Sequence, residues 1–190
     1  METMPEAVQG NPATRFLAWL GEEAKGFWTI TGYVVFTALI VASIDYTVQS
    51  AMINWGFVKA PPLPEVGDTP FQYFNVFSFL SVFIWGPIKE EVMFRLLPLA
   101  FIIAFVSRRP GLVFGAVIIL TAIFGAIHPY STVGRIQVAI DGFFFGLVFL
   151  KCGGLNNRFV KAWVCAVCAH GLSNVFVVVD AWWDYFQAIT

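Results

Sequence analysis

The chain has 190 residues, of which 58% are hydrophobic and only 12% charged, and its mean hydropathy is +0.76. Soluble domains are nearer 45–50% apolar and about 25% charged, and a soluble globule this apolar would expose large greasy patches. The composition therefore predicts a membrane protein, and a net charge of −1 without a basic run argues against a nucleic-acid partner.

At about 20 residues per crossing, the chain has room for about six helices in one membrane domain over 1–190. Residues 1–26 read as an N-terminal interfacial segment carrying Phe16, Leu17, Trp19 and Leu20. Glu22, Glu23 and Lys25 precede the first apolar run where a secretory signal would have a short basic region, so that run, 27–48, reads as a retained span. A polar connection, 54–70, contains Pro61, Pro62 and Pro64 and favours extended backbone. Span two is expected over 71–85, closed by Gly86-Pro87, and span three over 88–106, kinked at Pro98. Spans four to six follow at 112–127, 133–150 and 159–183. With the ends assigned this way, Lys and Arg divide too evenly between the two sides to set the orientation.

Ionisable groups inside spans are costly, and function is their default reading. Glu90, Glu91, Arg95, His128, Asp141 and His170 are such groups, with Asn174 as a polar companion. Antiparallel succession of the spans lets them converge on a cavity open to one face. Glu91 and Arg95 stand four residues apart with the acid first, the favourable order for an ion pair on one helix face. Glu90 is rotated about 100° from Glu91, so the two carboxylates are not expected to serve one partner. With Arg95 holding Glu91, Glu90 is left free as a general base. His170 and Asn174 share a helix face and offer adjacent donors to a developing oxyanion. Phe124 repeats that spacing under His128.

In chain order these residues make EExxxR (90–95), FxxxH (124–128) and HxxxN (170–174), each on its own apolar helix. The ordered trio resembles the CPBP family, which groups type II CAAX prenyl endopeptidases, bacteriocin-processing enzymes and Abi proteins. The Gly-rich end of span five, through Gly153 and Gly154, adds to the likeness, which places a catalytic core at 85–178. The resemblance implies that Glu90 activates water with help from His128, that His170 and Asn174 hold the oxyanion, and that Glu91, Arg95 and Phe124 shape the site. It implies an intramembrane endopeptidase without metal or cofactor, acting on membrane proteins or lipidated peptides. Compact size suggests a prokaryotic cell membrane.

Blander readings compete at single positions. His128, followed by Pro129, also suits a helix cap, and Asp141 a helix–helix hydrogen bond. Cys165 and Cys168 form a CxxC inside an apolar helix and read as packed thiols; the glycine pairs 142/146 and 111/115 read as close helix packing. Trp182 and Trp183 fit an interfacial belt. Two rival functions remain open: a zinc protease using Glu90, His128 and His170, and a non-catalytic adaptor or immunity protein binding through the same polar pocket.

Overall fold

The computed structural model describes residues 11–56, 77 and 80–189, with side chains up to Val179. The connection expected over 54–70 and the start of the second span lie largely outside these residues. The described chain is helical, without strands. A short helix α1 (Pro12–Gly21) opens it, started by Asn11, whose side chain accepts from the Thr14 N–H, and by Pro12 in the first turn. Two long apolar helices then match the expected spans closely, α4 (Pro110–Ile127) and α5 (Thr132–Lys151), while α2 (Phe27–Asn54) begins where expected and runs past its expected end at 48. The last, α6 (Phe159–Ile189), runs past the expected end of its span, and the side chains of Trp182 and Trp183 lie outside the description.

The expectation that fails is the break at Gly86-Pro87. Residues 81–106 are helical throughout, and we call them α3. Three of its turns, Ser81–Trp85, Val92–Leu96 and Ile102–Val106, are wound one residue wider than an α-helix. The first of these explains how the helix passes a proline. The Gly86 N–H reaches back five residues to the Ser81 carbonyl. In that register the Val82 carbonyl would be served by residue 87, and Pro87 has no N–H to give. Asn174 serves it instead, its Nδ2 donating to the Val82 oxygen at 2.8 Å. Pro98 likewise follows a wide turn, in which the Leu97 N–H reaches back to the Val92 carbonyl, and α3 runs on through both prolines where a break was expected at the first.

Among the described residues four helices are long and apolar enough to cross a membrane by themselves, and segmented α3 makes a fifth of crossing length. The described residues therefore do not reach the expected count of about six. Only 17% of the apolar window of α2 and 22% of that of α4 are buried within the protein. Phe36, Phe101, Phe105, Ile119 and Ile123 are exposed on the outer surface, where only lipid makes them favourable.

Packing inside the bundle depends on small residues. A Cβ on Gly125 would fall 2.3 Å from the Arg135 carbonyl oxygen, so α4 and α5 touch backbone to backbone there. On α5, Gly142 faces Arg95 and Phe124, and Gly146 faces Val117; a Cβ at either would meet a neighbouring atom at 2.6 Å. Gly111 and Gly115 do not repeat this: Gly115 faces open space, and Gly111 meets only the Leu17 side chain at 3.6 Å. Below these contacts Leu99, Ile103, Val113, Val117, Phe149 and Leu150 form a core that Leu20 of α1 closes. That core fills one end of the bundle.

Candidate functional site

At the open end α2, α3, α5, α6 and the end of α4 surround a cavity of about 850 Å³. Glu90, Phe124, His128, Asp141, His170 and Asn174 all line it. Glu91 and Arg95 lie just behind its wall, fully enclosed, and the residues singled out by sequence come together around one histidine.

His170 sits on α6, its ring stacked on Phe145 at 4.5 Å and 15°. Its Nδ1 is 3.0 Å from Oε1 of Glu91, and its Nε2 is 3.8 Å from Oε2 of Glu90. The expectation that the two glutamates would serve different partners is therefore corrected. Their side chains diverge around α3, but an imidazole has nitrogens on opposite sides and fits between them. Their environments still differ. Glu91 is 0% exposed, whereas the Glu90 side chain is 34% exposed to the cavity.

Glu91 Oε1 also accepts from Arg95 Nη1 at 3.2 Å, the ion pair predicted from the spacing. Arg95 then donates Nη2 to the Gly142 carbonyl at 2.8 Å and lies 4.6 Å over the Phe124 ring. A buried guanidinium so held binds α3 to α5 and to α4 at once. Because Glu91 faces a guanidinium, it is the acceptor in its contact with His170, and Nδ1 carries the hydrogen.

His128 ends α4 with extended backbone, packed edge-to-face on Phe124 at 4.6 Å and stacked on Tyr130. Its Nδ1 lies 2.7 Å from the Phe124 carbonyl oxygen. A carbonyl only accepts, so Nδ1 donates, and Nε2 of the neutral ring is left with a lone pair. The helix-cap reading and the cavity-lining position thus hold together. Asn174 has one amide hydrogen on the Val82 carbonyl and a second not used there.

Sequence reading missed Asp45. It faces the same cavity from α2 as Asp141 does from α5. Gln137 donates to Asp45 from α5. The available signal was an aspartate within the first apolar span, and Asp141 alone drew attention. Among the described residues no three His, Cys, Asp or Glu side chains are grouped so as to hold a metal ion.

Comparison with known families bears directly on this arrangement. The type II CAAX prenyl endopeptidase Rce1-like family matches residues 72–176, a stretch that contains every residue of the three motifs. The chain belongs to this family. No curated protein and no solved structure matches it. As an Rce1-like protein it is an intramembrane endopeptidase of the CAAX-protease type, a hydrolase placed in the membrane by its long apolar helices. The Rce1-like segment begins before α3 and ends within α6, so α1 and α2 lie outside it.

Proposed function

We propose that this protein hydrolyses peptide bonds of membrane-associated or lipidated polypeptides by a glutamate-activated water, with Glu90 as the base. The observation that carries the reading is the division of labour around His170: an enclosed Glu91 on Nδ1 and a cavity-facing Glu90 near Nε2.

Water entering the cavity meets Glu90, the one glutamate of the pair with access to it, and the Nε2 lone pair of His128 is a second acceptor for the same water. As the water attacks the peptide carbonyl, its proton passes to Glu90 and negative charge develops on the carbonyl oxygen. With Nδ1 donating to Glu91, His170 can donate through Nε2 only as an imidazolium, and Glu91 is its counter-ion. That imidazolium and the second amide hydrogen of Asn174 are the oxyanion donors. Collapse of the tetrahedral intermediate returns the proton from Glu90 to the leaving nitrogen, and the base is regenerated. Arg95 and Phe124 act on this chemistry only through the groups they hold.

The test is a comparison of protein termini in cells producing wild type or Glu90→Gln at matched levels. New termini near membrane segments that vanish in the variant support the reading and name the substrates. Identical profiles in the native host overturn it in favour of a binding protein that uses the same pocket.

A further inference from the structure

The continuous α3 changes which charges share a side of the membrane. With two spans over 71–106, the N-terminus would lie on the side of Glu90. With one helix over 81–106, it lies at the opposite end. Direct contacts fix this. Phe16 of α1 packs on Phe114 at the start of α4, and Lys151 at the end of α5 donates Nζ to the Trp19 carbonyl at 2.6 Å. Glu23 pairs with Lys161 at 2.7 Å and with Arg158 at 3.4 Å, joining the start of α6 to the same end.

The basic residues then separate by end. The α1 segment and its turn into α2 bring Arg15 and Lys25. The turn between α3 and α4 brings Arg108 and Arg109, and the α5–α6 connection brings Lys151, Arg158 and Lys161. These are seven of the eleven Lys and Arg in the chain. The cavity end has Lys89 and Arg135 among the described residues, while Arg95 is enclosed with Glu91 inside the bundle. Lys59 lies outside the described residues, and adding it to the cavity end leaves the imbalance intact.

All seven stand in short connections or within about 15 residues of a span end, the range over which Lys and Arg excess decides which side stays in the cytoplasm. We propose that the α1 end is cytoplasmic and that the cavity opens on the far side of the membrane. Its substrates are then membrane-anchored polypeptides whose cleaved segment is exposed beyond the cytoplasm. The substrate class rests on the endopeptidase reading; the orientation does not.

Thiol accessibility tests it. The chain is expressed in the cytoplasmic membrane of a bacterial host with one added cysteine at Thr132, Asn156 or Ala13, all exposed positions outside the proposed machinery. The unaltered chain gives the background from Cys152, Cys165 and Cys168. A membrane-impermeant maleimide is expected to label Thr132→Cys in intact cells, and Asn156→Cys and Ala13→Cys only after permeabilisation. Two positions at the basic end guard against one variant failing to fold. The reverse pattern, or labelling of all three from outside, overturns the orientation. If the expected pattern is found and Glu90→Gln still cleaves normally, the endopeptidase mechanism falls and the orientation stands.

Discussion

Glu90 and Glu91 are neighbours in the chain with opposite surroundings, and this contrast is where single residues matter most. Glu91 faces a guanidinium and an imidazole with no solvent access, so Glu91→Gln leaves Arg95 as an uncompensated buried charge. The expected loss is about 3–5 kcal/mol of stability, seen as a lower unfolding temperature in detergent. Asn174 has a second duty in serving the Val82 carbonyl beside Pro87. Asn174→Ala should therefore be less damaging in a Pro87→Ala background, where residue 87 regains an N–H; a double-mutant cycle should give a coupling of about 0.5–3 kcal/mol. The Glu91–Arg95 pair was legible because both partners lie on one turn of one helix. The shared histidine was not, because angular separation on α3 treats the partner as a point, whereas His170 presents a nitrogen to each side. Asp141 was picked out as an ionisable group inside a span, but Asp45 was not, since only the packing of α2 on α5 brings it to the cavity that Asp141 lines.

Helix ends were read to within a few residues where Pro and Gly sit at real termini, as at Pro110 and Gly153. Gly153 closes α5 with a φ of +118°, and a Cβ there would come within 3.0 Å of Arg158. Gly86-Pro87 carries the same residue types in mid-helix, and a widened turn with a side-chain donor from α6 replaces the missing hydrogen bond. Composition at one position does not distinguish these outcomes; the neighbouring helix does. Glycine spacing shows the same dependence. Gly125→Ala forces a methyl against the α5 backbone and should cost about 1–3 kcal/mol or more. Gly115→Ala enters open space and should be neutral or stabilising by up to about 1 kcal/mol, from the better helix propensity of alanine. Thermal unfolding of the two purified variants checks the pair.

Across the whole molecule, one end is a packed, basic anchor and the other an open, polar cavity. The anchor includes Glu23, whose hydrogen bond from Lys161, aided by the charges of Lys161, Arg158 and Lys25, holds its carboxyl below the ordinary value of 4.5. A carboxylate lowered by folding contributes stability above its unfolded value and loses it as pH falls through the folded one. Docking of α1 should accordingly loosen as pH drops below 4.5, read as faster proteolysis between α1 and α2. Glu23→Gln should show the loosened behaviour already at neutral pH and change little across that window. The all-α membrane class followed from composition alone, while the side on which each end lies required knowing that α3 is one helix.

The central claim is that Glu90 does the chemistry while Glu91 holds the structure. It is tested most directly by measuring cleavage of a substrate by purified wild type and Glu90→Gln, alongside their unfolding temperatures. The account predicts a loss of about 10²–10⁴-fold in rate with the unfolding temperature unchanged. Cleavage at the wild-type rate by a folded Glu90→Gln protein would contradict it.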